Sequence, residues 1–182
     1  LAGQTLAHGQ ARRFAPTSEE HRQLAAEAAR RVADKARVGR ATLSDLHHWQ
    51  QDTTRTTYLF DVRTPEEFEI GHLPGARSTP GGQLVQETDH VASVRGARLV
   101  LVDDDGVRAN MSASWLAQLG WQVHVLDDLQ AAHFSEHGAW VAPVPAPPQA
   151  ELISAPTLAD WLGHGDTMVL DFTASANYVK RH

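Results

Sequence analysis

The side chains best placed for chemistry lie in one short stretch. Asp103-Asp104-Asp105-Gly106-Val107-Arg108 follows the apolar run Leu99-Val100-Leu101-Val102, so three carboxyls and then one guanidinium leave a buried segment together. Their chemistry is that of oxygen acids beside a cation. A second stretch, His133-Phe134-Ser135-Glu136-His137, has two His with a Glu between them and fits an inverted zinc-ligand pattern. There is no cysteine at all, which excludes disulfides, thiolate metal sites and every cysteine nucleophile. A reading that needs a thiol must place it in another chain, or in polypeptide outside these residues.

The 182 residues suggest one domain of ordinary size plus extra pieces. A formal charge of −6 argues against a general nucleic-acid binder. With 42% hydrophobic and 21% charged residues the chain is ordinary for a globular protein and too apolar for disorder. No apolar run approaches the roughly 18 residues that span a bilayer, and no signal peptide is visible. The expected location is cytoplasmic, with no membrane and no nucleic acid as partner. Residues 1–40 carry a net +4 and residues 41–182 a net −10. The basic segment reads as a solvated helix face with Arg12 and Arg13 in a linker; it could also lie on the acidic body or face a neighbouring domain.

The acidic loop needs elements to hold it. Thr17 and Glu20 are spaced as a capping box for a helix that runs to about Val38 and stops at Gly39. Its apolar stripe is Leu24, Ala28, Val32 and Ala36, too narrow to form a core. From Ala41 onward strand and helix signals alternate. Thr57 to Val62 reads as a buried strand, and Pro65 to Glu69 as a short helix with Pro and acids in its first turn. Gln83 to Val91 reads as a second helix. Leu99 to Val102 is an all-apolar strand of the kind covered on both faces. Arg108 to Leu119 is a helix ending at Gly120, and Val123 to Leu126 a further strand. Strands separated by short helices imply a parallel sheet.

Ala142 to Pro148 is a stiff Pro-rich linker, and after it the pattern restarts. Asp61-Val62-Arg63 through His72 lies without gaps over Asp171-Phe172-Thr173 through His182. Upstream, Leu46-His47-His48-Trp49 lies over Leu158-Ala159-Asp160-Trp161. The repeat reads as the start of a second copy cut off at His182, with Leu1-Ala2-Gly3 as the tail of an earlier one. An apolar strand at Met168-Val169-Leu170 should seek a sheet edge, so self-association through 150–182 is expected to be open to this chain.

These residues resemble the rhodanese family of sulfurtransferases. Asp61-Val62-Arg63, Glu66-Glu67-Phe68 and Gly71-His72-Leu73-Pro74-Gly75-Ala76 are similar to its N-terminal signature. Val100-Leu101-Val102 with Gly106, Arg108 and the helix to Leu119-Gly120 resembles its active-loop half. The resemblance implies an α/β fold, with a parallel five-stranded sheet flanked by helices on both faces. It also implies a six-residue loop that begins with a catalytic Cys and ends with Arg.

Asp103 stands at that first position. A sulfur relay needs a polarisable nucleophile that can carry a persulfide, and a carboxylate cannot form one. The loop lies at a helix N-terminus, where backbone N–H groups make an anion cradle. Asp103 would take those donors, so its pKa is expected to fall. Arg108 is expected to share its charge with Asp61 or Glu66. An added anion about 5 Å from one of Asp104 and Asp105 would be repelled by roughly 3 kcal/mol at an effective dielectric of 20.

The resulting organisation has four parts: residues 1–40, the end of a preceding copy plus a basic linker helix; 41–141, the rhodanese-like domain; 142–149, the linker; and 150–182, the truncated start of a further repeat. The domain reads as an inactive module (scaffold, docking face or regulator) of a multi-domain thiosulfate sulfurtransferase. Its partners would be other rhodanese-like domains of the same chain, with no catalytic residue, cofactor or metal of its own. The alternative is a Mg²⁺-dependent phosphatase. The apolar strand before Asp103 and Asp105 also resembles the first motif of haloacid-dehalogenase-type phosphatases. That family needs a downstream Lys, and Lys180 is the only one after the loop. The His133 to His137 pattern lacks a helix to align its ligands. His47, His48 and His72 read as surface or turn residues, with His72 bonded to its loop. The five Trp read as core or domain-contact residues, and Asn110-Met111-Ser112 as a glycosylation sequon on paper only, within a helix.

Overall fold

The computed structural model describes residues 17–143 and 151–181. They fall into two compact units that divide between Val141 and Ala142. Leu1-Ala2-Gly3, Arg12, Arg13, most of the Pro-rich linker and His182 lie outside the described residues.

The first unit opens with α1 (Glu19–Lys35), β1 (Gly39–Ala41), α2 (Leu43–Gln51), β2 (Thr57–Asp61) and α3 (Pro65–Ile70). Next come β3 (Arg77–Ser78), α4 (Gly81–Gln86), α5 (Thr88–Val91) and β4 (Arg98–Val102). It ends with α6 (Arg108–Gln118), β5 (Gln122–Leu126) and a 3₁₀ turn, Ala131–His133. The strands form one five-stranded sheet in the order β1-β5-β4-β2-β3, every neighbouring pair parallel.

β4 is the middle strand, and all five of its residues are buried. Strand alternation between two covered faces explains why its last four residues, Leu99 to Val102, can all be apolar. Leu99 and Leu101 join a core with Phe60, Val123, Ala113 and Leu116. Val100 and Val102 join a core on the opposite face with Leu59, Phe68, Leu46 and Leu126. Helices α1, α4 and α6 cover the first face, and α2 and α3 the second.

Two short helices are set by capping boxes. The Thr42 side chain accepts from the Asp45 amide, and Asp45 accepts from the Thr42 amide at 2.8 Å, which starts α2. Thr64 and Glu67 do the same for α3, where Glu67 accepts from the Thr64 amide at 2.8 Å.

Several expectations are corrected. α1 is capped by Ser18, whose side chain accepts from the His21 amide, not by Thr17. It ends at Lys35, because Arg37 takes a positive φ of 60°, and Gly39 opens β1. Its packed face is Ala29 and Ala33; Leu24 and Val32 are exposed. Small residues on that face let α1 pack against α6. The helix expected over Gln83 to Val91 breaks at Glu87, whose φ of −127° and ψ of 37° leave the helical region. The Thr88 hydroxyl then donates to the Leu84 carbonyl at 2.6 Å.

The second unit holds α7 (Ala155–His164) and α8 (Ser175–Arg181). The strand expected at Met168 to Leu170 does not form: these residues carry no sheet hydrogen bonds and all three are exposed.

Candidate functional site

The acidic loop leaves the carboxyl end of β4, at the centre of the sheet, and runs straight into α6. Asp103 is 6% exposed. One of its oxygens accepts from the Gly106 amide at 3.0 Å and the other from the Ala109 amide at 2.9 Å. Val107, in the cap position of α6, makes no side-chain cap bond. Asp103 does that work from six residues back by holding an amide of the first helical turn. Gly106 has a φ of +69°, a conformation that favours glycine and turns its amide toward the Asp103 carboxyl. Asp105 accepts from the Val107 amide at 2.9 Å, which tightens the same turn.

Two guanidinium groups brace the loop. Arg108 donates to both oxygens of Glu67, at 2.5 and 3.2 Å, and to Asp104 at 3.0 Å. Arg63 is buried against Asp61, donating from Nη2 at 2.7 Å, and also holds the Gly71 carbonyl at 2.6 Å. Its guanidinium lies over the Phe134 ring at 4.5 Å, and its Nη1 stands 3.7 Å from Asp104. Arg108 therefore meets neither Asp61 nor Glu66, against expectation. Asp61 is committed to Arg63, and Glu66 is exposed. The Thr64 capping box turns Glu67 inward. Glu67 and Arg63 are thus the bracing residues that sequence reasoning passed over. The Thr64-x-x-Glu67 spacing was the available signal for the first.

The electrostatics reverse one expectation. Burial pushes the Asp103 carboxyl up to about 7, the neighbouring Asp105 adds to the rise, and the Ala109 and Gly106 amides oppose it. Two donors are too few to offset desolvation of a nearly closed site. Glu67 goes the other way: its bond to Arg108 holds it down at about 2. The site gathers five carboxyl groups, Asp61, Glu67, Asp103, Asp104 and Asp105, around two guanidiniums.

A family model described as Rhodanese-like domain matches residues 42–128. This stretch belongs to the rhodanese-like family. A solved thiosulfate sulfurtransferase from Pseudomonas aeruginosa is 71% identical to this chain, covers all of it and superposes with a TM-score of 0.75. The chain spans 34% of that protein. The uncharacterized protein YqhL of Bacillus subtilis (strain 168) is 36% identical over 66 residues, which are 36% of this chain and 51% of that one. The chain thus spans about a third of the first relative and about half of the second. Among the described residues, no helix is long and apolar enough to cross a membrane.

Two cavities flank the loop of the rhodanese-like domain. One, of about 300 Å³, is lined by Arg30, Arg40, Asp103, Asn110 and Asp127. Arg40 pairs with Asp127 and donates to the Asn110 side chain at 2.6 Å, and Asn110 in turn donates to the Gly106 carbonyl at 2.7 Å. The other, of about 370 Å³, opens between Arg63, Glu67, Asp104, Leu129 and Phe134.

His72 is buried, not on the surface. Its ring stacks on Phe68 at 3.6 Å, its Nδ1 lies 2.9 Å from the Phe68 carbonyl, and its backbone pairs with Glu136. His133 accepts from the Gln130 amide and His137 contacts the Ile70 carbonyl, so the His133 to His137 pattern closes a loop over α3. Among the described residues no cluster of three or more His, Asp or Glu is arranged to hold a metal ion. Nothing in the comparisons supports the phosphatase alternative: Asp103 spends both oxygens on backbone amides, and Lys180 belongs to the second unit. His47 and His48 are exposed. Trp49, Trp121 and Trp140 pack on the two cores, whereas Trp115 and Trp161 are exposed. Asn110 is buried inside α6, which denies the sequon to a glycan.

Proposed function

We propose that the rhodanese-like domain is a non-catalytic module of a multi-domain sulfurtransferase of the thiosulfate sulfurtransferase type, serving as scaffold, docking face or regulator. One observation carries the reading. At the head of the loop, where the family resemblance implies a Cys, the Asp103 carboxyl lies in the amide cradle with both oxygens engaged. A carboxyl there cannot accept a sulfane sulfur as a persulfide. The absence of any cysteine in the chain removes a substitute nucleophile of that kind.

The likeness to a thiosulfate sulfurtransferase of which this chain spans only 34% supports a place in a larger protein. In this reading residues 150–182 begin a further repeat, and the partners are other rhodanese-like domains of the same protein, one of them holding the active Cys. The location is cytoplasmic. The test is sulfur transfer from thiosulfate to cyanide by this chain alone. No thiocyanate above a heat-killed control is expected; turnover above it overturns the inactive assignment.

A further inference from the structure

His124, in β5, sits in a seam between an edge strand and a helix. It lies directly across from Gly39 in the pairing of β5 with β1. β1 is only three residues long and pairs with β5 alone. Trp49 of α2 packs on the imidazole, with ring centroids 4.7 Å apart and planes tilted by 54°. Gly39 is pressed against the same ring: a Cβ there would lie 2.3 Å from the His124 Cδ2. Strand and ring are therefore in direct contact, with no room for a water between them.

This seam is hostile to a cation. The His124 Nδ1 is buried without a hydrogen-bond partner. A neutral imidazole can leave one nitrogen bare, whereas an imidazolium carries N–H on both. The charged groups that act on the ring are Arg98 of β4, Arg55 ahead of β2 and Asp45 of α2. Arg98 is buried; its guanidinium lies over the Trp49 ring at 4.4 Å and donates to the Thr57 hydroxyl at 3.0 Å. Arg55 donates to the Gly96 carbonyl at 2.8 Å. Asp45 is committed to the Thr42 cap, and His48 of α2 shares its charge. Burial, and then the Arg98 charge, hold the imidazole below its ordinary 6.5; Arg55 adds to this, while the Leu99 backbone and Asp45 oppose it.

β1 also carries a link to the acidic loop. Arg40, next to Gly39, donates from Nε to Asp127 at 2.9 Å and from Nη1 to the Asn110 side chain at 2.6 Å. The Asn110 amide group in turn holds the Gly106 carbonyl at 2.7 Å. The Asp127 backbone amide donates to the Ala41 carbonyl at 2.9 Å and closes the far end of β1. We propose that His124 is a pH-sensitive latch on β1. Neutral, the ring lets β1 and α2 close over β5. Protonated, it must reach water, and because Gly39 and Trp49 both press on it, β1 and α2 part from β5 as it leaves. Arg40 moves with β1, and the hold of Asn110 on the loop slackens. A proton taken up away from the loop thereby loosens it, whether or not the loop is catalytic. The released imidazole has its ordinary 6.5, so closure is complete above that pH. Closure weakens as pH falls below it, by up to about tenfold per pH unit.

Hydrogen exchange of the Asp127 backbone amide and of the Asn110 side-chain amide tests it, corrected for the intrinsic rate at each pH. Opening at both should rise about fivefold between about pH 7 and about pH 5.5, since a bonded amide exchanges only on opening. His124→Gln and His124→Phe cannot take up the proton, and Phe keeps an aromatic ring on Trp49. Either variant, if folded, should show opening that does not change over that range. Constant opening in the unaltered chain overturns the latch, as does a rise that persists in the variants. A rise at Asp127 with Asn110 unchanged overturns the link to the loop. None of these readouts involves sulfur transfer, so they fail independently of the inactive assignment.

Discussion

Glu67 is shared between two tasks. One of its oxygens accepts from the Thr64 amide at 2.8 Å, closing the first turn of α3, and the same oxygen accepts from Arg108 at 2.5 Å. A helix on one face of the sheet is thus tied to the loop that leaves the central strand. Glu67→Gln keeps one acceptor for the cap and removes the charge. Because the pair is about a third exposed, the cost is modest, about 1 kcal/mol, by urea denaturation at neutral pH. Glu67→Ala loses both bonds and should cost about twice that.

The depressed Glu67 carboxyl also predicts an acid dependence. Its folded value is about 2 against an ordinary 4.5, so the stability it contributes is complete above 4.5 and is lost as pH falls toward 2. Glu67→Gln should lose less stability than the unaltered chain across that window. A parallel decline of the two in pH-resolved denaturation would refute this origin.

Asp103 has the opposite sign. Its folded value is about 7 against an ordinary 3.8, so the folded state keeps a proton that the unfolded state releases. Stability should fall as pH rises from 3.8 to about 7 and level off above it, with a slope of at most about 1.4 kcal/mol per pH unit from this group. Asp103→Asn, which cannot ionise, should remove that slope. An unchanged slope in the variant would exclude Asp103 as its source.

The amide cradle survives replacement of its present occupant, so Asp103→Cys should load sulfur. The thiolate would attack the sulfane sulfur of thiosulfate, forming a Cys persulfide and releasing sulfite. A mass increase of one sulfur atom that cyanide removes as thiocyanate is the expected result. Failure to load would mean that Asp104 and Asp105, which add negative charge at the mouth, keep the dianion out.

Gly106→Ala tests the loop's backbone. The nearest atom to an added methyl is the Ala26 Cβ at 3.8 Å, an ordinary contact, so the cost comes from the φ of +69° alone. It should lower stability by roughly 1–2 kcal/mol, read as a shift in the denaturation midpoint, with Gly106→Asn milder.

The parts of this fold legible from sequence were those with a strong local signal. Leu99 to Val102 reads as a strand buried on both sides because four apolar residues in a row leave no polar face, and β4 is such a strand. Arg108 to Gly120 was legible because Gly120 ends it with a φ of 89°. β3 is two residues long and has no period to detect. α2 buries only Leu46, so its apolar pattern is nearly silent. At the site, the loop's residues can be named from sequence, and only the Thr64-x-x-Glu67 capping spacing sets Glu67 apart from Glu66. The sign of the Asp103 shift is not legible in sequence, because donor count and burial are both tertiary quantities.

Tying the Asp103 carboxyl to the Ala109 amide makes the interval between them a ruler. A single residue inserted after Asp103 would carry that carboxyl out of reach and leave α6 with a bare amide at its mouth. Length in this turn is therefore under tighter constraint than chemistry. A lineage could exchange sulfur for oxygen here by point substitution, yet could not add or drop a residue without unfastening the helix behind it.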